Sequence, residues 1–135
     1  MSNNTTQSAL SLVGRILLAT IFILSGVSKL AAPEATQGYI ASVGVPAPLL
    51  AYLVAAVVEL GGGVLLLVGF RVRLAATVLA IFTVAAALLF HHALGDQNQF
   101  IHFMKNLAIT GGLLQVIAFG AGSFSFDTHR APVSV

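Results

Sequence analysis

Four stretches of this chain, Leu10–Leu30, Pro48–Phe70, Arg73–His91 and Phe100–Phe119, are almost unbroken runs of apolar residues. Each matches the roughly 20 helical residues needed to cross about 30 Å of hydrocarbon. In lipid the backbone N–H and C=O groups have no water to bond, so each run must be helical. The composition agrees. With 58% hydrophobic and 7% charged residues and a mean hydropathy of +1.00, 135 residues carry more apolar surface than a globule of that size can bury. The first run follows a segment without Lys or Arg and is longer than the apolar part of a secretory signal, so it is expected to remain as a spanning helix.

The connections order the spans. "GFRVR" is so short that the second and third helices must be antiparallel neighbours. "AAPEATQGYIASVGVPA" opens a helix at Pro33–Glu34 and interrupts it at Pro46 and Pro48, which predicts a short interfacial helix between spans one and two. In "HALGDQNQ", Asp96 followed by Gln99 has the spacing of a capping box, so the fourth helix starts ahead of its buried part. The fold class expected is therefore all-α, an integral membrane four-helix bundle. It has a polar tail over residues 1–9, a transmembrane domain over 10–127 and a second tail over 128–135. Arg15, Arg71, Arg73 and Arg130 against Lys29 and Lys105 predict both termini in the cytoplasm. "GGVLLLVGF" (Gly62–Phe70) recurs loosely as "GGLLQVIAF" (Gly111–Phe119), as two tandem helical hairpins would produce.

The polar side chains fall on faces shared with small residues. Arg15, Ala19, Phe22, Gly26 and Lys29 form one stripe, and Tyr52, Glu59, Gly63 and Phe70 form another. His91 lies above Ala87 and Ala80, and Lys105 above Ala108 and Gly112, with Asn106 on the adjacent stripe. Small residues mark helix contacts in membranes, so these polar groups face the bundle interior. At 1.5 Å per residue, Glu59 sits near the bilayer centre and Arg15 about 7 Å to the inside. Lys29, Tyr52, His91, Lys105 and Asn106 lie about 9–14 Å to the outside.

A carboxylate at mid-membrane must be paired or protonated. Arg15 is the basic partner below Glu59, and an Arg15–Glu59 ion pair is the structural reading; Lys29 or Lys105 could pair with it from above. The adjacent glycines let a neighbouring helix close lipid away from the acid. The bland alternatives are snorkelling lysines, interfacial histidines and Tyr52 in an aromatic belt. The ligand-binding candidates are Lys29, Tyr52, Glu59, His91, Lys105 and Asn106, with Glu59 as the candidate proton carrier.

Other chemistry is not signalled. His91, His92 and His102 lack the spacing of a metal pair, so no metal is expected. There are no cysteines, which removes thiol relays and covalent haem attachment. The net charge of +2 comes from scattered residues, with no footprint for nucleic acid.

"GRILLATIFILSGVSKL", "PAPLLAYLVAAVVELGGGVLLLVGFRVRLAA", "HFMKNLAITGGLLQ" and "GAGSFSFD", in that order and spacing, resemble the DoxX family of small bacterial and archaeal membrane proteins over Gly14–Asp127. The resemblance implies a four-helix bundle in the cytoplasmic (inner) membrane, with Arg15, Lys29, Glu59, Lys105 and Asn106 at the family's recurring polar positions. The related DoxD and DoxA subunits form a thiosulfate:quinone oxidoreductase, and other members are associated with thiol or oxidative stress or with quinone resistance. The leading expectation is a redox-linked subunit that binds a quinone or small electrophile in an outward-facing pocket, with no covalent cofactor and no cofactor-binding motif of its own. Its partners are the lipid bilayer, a soluble or membrane oxidoreductase, and further copies in a homo-oligomer. The alternatives are a non-catalytic scaffold recruiting a redox or stress-response enzyme, and a small proton-coupled transporter.

Overall fold

The structure, a computed structural model, describes residues 2–130; Met1 and residues 131–135, at the ends of the two expected tails, lie outside the described residues. Six helices follow one another: α1 (Ser2–Ala31), α2 (Pro33–Ser42), α3 (Pro48–Val68), α4 (Val72–Phe90), α5 (Gln97–Phe119) and α6 (Phe126–Arg130). The helices α1, α3, α4 and α5 are each long and apolar enough to cross a membrane, and α2 is the expected short helix between the first two spans. The protein is an all-α membrane bundle.

The helix boundaries follow from local chemistry. Pro33 and Pro48 occupy first-turn positions of α2 and α3, where the missing N–H costs nothing. Gly69 ends α3 in the left-handed region at φ 74°, and the N–H groups of Gly69 and Phe70 both reach the Leu65 carbonyl at 3.0 Å. Asp96 caps α5 by accepting from the Gln99 N–H at 3.0 Å. Only half of the capping box forms, because the Gln99 side chain accepts from the Ala93 N–H at 3.1 Å instead. Residues 2–9, expected as a polar tail, continue α1. Ser8 bonds both the Asn4 carbonyl and Ser123, so the C-terminal segment gives these turns a partner.

The four spans pack as a ring. Consecutive spans α1–α3, α3–α4 and α4–α5 are neighbours, and a slighter α1–α5 contact closes the ring; α2 lies against α3. The buried core is Ala19, Phe22, Leu66, Val72, Ala76, Leu79, Ala80 and Leu113, flanked by Ala121 of the C-terminal segment. These residues occupy the half of the bundle nearer Arg15. Large apolar side chains such as Leu17, Leu24, Val57, Ile81 and Leu114 point outward and exposed, as expected where the surrounding solvent is lipid.

Glycines set how closely the helices approach beside Glu59. A Cβ on Gly63 would lie 2.9 Å from Ile23 Cγ1 on α1, and one on Gly62 would lie 2.8 Å from Leu79 Cγ on α4. On the facing helix, a Cβ at Gly26 would meet Leu60 Cγ at 2.6 Å. Gly61 has open space around it. Two of the three consecutive glycines therefore seat neighbouring helices, and the third faces away.

Candidate functional site

The polar residues separate into two groups at opposite ends of the bundle. At the Arg15 end the guanidinium is buried, at 1% exposure, and is consumed by backbone carbonyls. Nε donates to Ala121 at 3.0 Å, and Nη1 donates to Leu66 and Leu67 at 2.9 and 3.0 Å. Nη2 donates to the Phe124 carbonyl. Leu66 and Leu67 belong to the last turn of α3, whose carbonyls have no partner within the helix. Arg15 thus caps α3 from α1 and ties the C-terminal segment beneath both. Asp127 completes this closure, its two carboxylate oxygens accepting from the N–H groups of Arg71 at 2.7 Å and Val72 at 2.9 Å. Arg15 forms no ion pair with Glu59.

The partner of Glu59 is Lys29. The α1–α3 crossing at Gly26 and Gly63 brings the C-terminal turn of α1 beside the middle of α3. Lys29 Nζ donates to Glu59 Oε1 at 3.1 Å and lies 2.9 Å from Oε2. Ser25, one turn before Lys29, accepts from Nζ at 3.0 Å and donates to Glu59 Oε1 at 3.1 Å. Glu59 is 5% exposed, and its Oε2 is close to the ammonium but outside hydrogen-bond direction. One carboxylate oxygen is satisfied twice while the other keeps its lone pairs open. Lys29 uses two of its three N–H donors here, leaving one for another acceptor.

This cluster borders a partly open cavity of about 660 Å³ lined by α1, α2, α3, α4 and α5. Lys29, Glu59, His91, Lys105 and Asn106, from four different spans or their ends, all line it. Tyr52 is buried on α3 but is not a lining residue. Most of the remaining wall is apolar, including Ile21, Phe22, Val54, Phe82 and Ala86. Ala35, Thr36, Tyr39 and Ile40 bring α2 across the cavity as a roof. Tyr39 stacks on Phe90 at the end of α4, with ring centroids 5.4 Å apart.

A second polar side faces the Lys29–Glu59 pair. His91, just beyond α4, stacks on His102 of α5 with centroids 5.0 Å apart. Lys105 Nζ lies 3.1 Å from His102 Nδ1. An ammonium can only donate, so this Nδ1 is the acceptor and His102 carries its proton on Nε2. Burial, then the adjacent His102 and Lys105, hold His91 below the ordinary imidazole value, so the neutral ring is favoured.

Ser25, His102 and the α2 residues of the roof were not among the sequence-derived candidates. Ser25 has the i, i+4 relation to Lys29, which is the one sequence signal that could have raised it. No group of three or more His, Cys, Asp or Glu residues that could hold a metal occurs among the described residues.

The cavity combines an oily wall with ammonium, hydroxyl, carboxylate, amide and imidazole groups. It suits a lipophilic molecule with acceptor oxygens on a polar head.

A family model described as DoxX matches residues 10–92. The chain is 39% identical to the inner membrane protein YqjF of Escherichia coli (strain K12), over 86% of this chain and 88% of that protein. It is 35% identical to the inner membrane protein YphA of the same organism, over 90% of each. No solved structure gives a significant match.

Proposed function

We propose that this chain, a multi-pass membrane protein that belongs to the DoxX family, acts as a redox-linked subunit binding a quinone or similar small electrophile in the cavity between its helices. The observation that carries this reading is the cavity itself. Its volume of about 660 Å³ falls in the range of about 300–1,000 Å³ usual for small-molecule sites. Its polar groups converge on it from both sides.

The residues present fit a quinone head. The free N–H of Lys29, the Lys105 ammonium and the Asn106 amide are donors for carbonyl oxygens. Ile21, Phe22, Val54 and Phe82 accept the ring and tail. Such a group, when bound, supplies two-electron chemistry at its oxygens. The chain's own part is to bind and orient the head, exclude water beneath α2, and hold a proton at Glu59, whose pairing with Lys29 makes the carboxylate a positioned acid–base group. The slight α1–α5 contact offers entry from the bilayer, which suits a ligand dissolved in lipid. Transport is less well supported, because the path beyond Glu59 meets the packed core and the Arg15 closure.

The test is titration of the purified protein with a short-tailed quinone analogue, by ligand fluorescence quenching or calorimetry. Saturable binding that Glu59→Gln or Lys29→Met weakens at least tenfold supports the reading. No binding to the folded wild-type protein overturns it and leaves the scaffold.

A further inference from the structure

The second concave surface lies at the opposite end from the cavity, where an open groove of about 760 Å³ runs between the start of α4 and the segment after α5. Its lining includes Arg71, Arg73, Leu74, Phe119, Ser123 and Thr128. We propose that this groove is a binding site for the phosphate head of an anionic phospholipid.

Charge is the first argument. The charged side chains lining the groove are two arginines and one carboxylate, Asp127. Both oxygens of Asp127 are occupied by the N–H groups of Arg71 and Val72, so that carboxylate is turned toward the start of α4. Arg15, the nearby third guanidinium, is spent on carbonyls. Among the described residues neither Arg71 nor Arg73 has a carboxylate within salt-bridge distance. Guanidinium groups match the oxygens of a phosphate in paired, planar fashion.

The two arginines are also held in place. Arg71 sits in the left-handed region at φ 46°, a conformation kept by the Asp127 bond to its N–H. Arg73 lies against Gly120, where a Cβ would come within 3.4 Å of Nη2. Gly120 has φ 78° and ψ −161°, a region that only glycine enters readily. The turn after α5 is therefore shaped around the Arg73 side chain. Ser123, whose hydroxyl accepts from Ser8, brings its own O–H to the far wall, while the Thr128 O–H is spent on the Gly122 carbonyl.

The apolar rim distinguishes a lipid from a free anion. Phe119 is 79% exposed and Leu74 is 57% exposed; Leu74 follows Arg73, and Phe119 precedes Gly120, against which Arg73 lies. A head bound between Arg71 and Arg73 continues into acyl chains along these two side chains. The lysine and arginine distribution predicts this end at the cytoplasmic leaflet, where anionic lipids attract basic residues.

The experiment uses the full chain in mild detergent, supplied with phosphatidylglycerol, phosphatidylcholine or inorganic phosphate, and read by native mass spectrometry and thermal unfolding. The expected result is at least tenfold preferential retention of phosphatidylglycerol over phosphatidylcholine, with a raised Tm. Arg71→Gln/Arg73→Gln is expected to bring that ratio close to one, while Arg71→Lys/Arg73→Lys keeps part of it. Equal retention of the two lipids by the wild-type protein overturns the proposal, which keeps it decidable even where the glutamine variant does not fold. An equal Tm gain from inorganic phosphate also overturns it, by showing an anion site rather than a lipid site. Unchanged retention by a folded glutamine variant does the same.

Discussion

The Arg15 guanidinium of α1 donates to the Leu66 carbonyl of α3 at 2.9 Å, inside a span and with both residues buried. Three further carbonyls, those of Leu67, Ala121 and Phe124, share the same side chain. Hydrogen bonds to a charged group contribute about 1.5–3 kcal/mol each and do not add.

Replacing Arg15 by Met is therefore expected to lower stability by about 1–3 kcal/mol, the cost of leaving buried carbonyls without a donor. Arg15→Lys recovers little of this, because one ammonium cannot reach four carbonyls spread over two segments. Unfolding in detergent, followed by circular dichroism, measures both. A lysine variant as stable as the wild type would show that charge alone matters there.

The Lys29–Glu59 pair predicts a different pattern. Glu59→Gln strands a partly buried ammonium and is expected to cost about 1–2 kcal/mol. Replacing both partners together, as Lys29→Met/Glu59→Leu, removes both charges, and such exchanges are often neutral or stabilising. Stability within about 1 kcal/mol of wild type is expected, with quinone-analogue binding lost. A double variant less stable than either single one would assign the pair to structure instead.

The consecutive glycines separate by their surroundings. Gly63→Ala places a methyl 2.9 Å from Ile23 and 3.3 Å from its backbone nitrogen, and overpacking of this kind costs about 1–3 kcal/mol. Gly61→Ala meets nothing within 4 Å and is expected to stabilise by about 0.5–1 kcal/mol through helix propensity. Thermal melts of the two variants side by side should move in opposite directions.

His91 carries the pH dependence. Its folded-state value lies below the ordinary one, from burial and the adjacent His102 and Lys105. The unfolded chain therefore takes up this proton first. The contribution is absent above the ordinary imidazole value, and stability falls as pH drops from there toward the depressed folded value. An NMR titration of the His91 ring should show the low midpoint, and Lys105→Gln should raise it.

Much of this was legible from residue order. The four spans, the helix between the first two, and the half-formed cap at Asp96 follow from apolar run length, proline placement and spacing. Lys29, Glu59, His91, Lys105 and Asn106 line one cavity, and their shared faces were readable from 100° of turn per residue. Their depths were not, because Glu59 and Lys29 meet at 2.9 Å despite the separation of about 9–14 Å that the span midpoints imply. Nor was the partner of Glu59. Arg15 and Lys29 lie on the same stripe of α1 about 21 Å apart, and only the crossing at Gly26 and Gly63 decides which meets the acid. The Arg15 closure was hidden for another reason. Its acceptors are main-chain oxygens, which every residue possesses, so no pattern of side chains announces them. Tyr52 shares the Glu59 stripe by spacing but lies outside the cavity wall.

Because Arg15 grips peptide carbonyls, the clasp itself makes no demand on the side chains of the residues it holds. Leu67 and the half-exposed Phe124 could be exchanged for other apolar residues with the clasp intact, whereas Leu66 and Ala121 are also packed in the core. The cavity at the other end depends on side-chain identity at every polar position. A chain built on this frame can thus change the polar lining of its cavity while one arginine goes on closing the same latch.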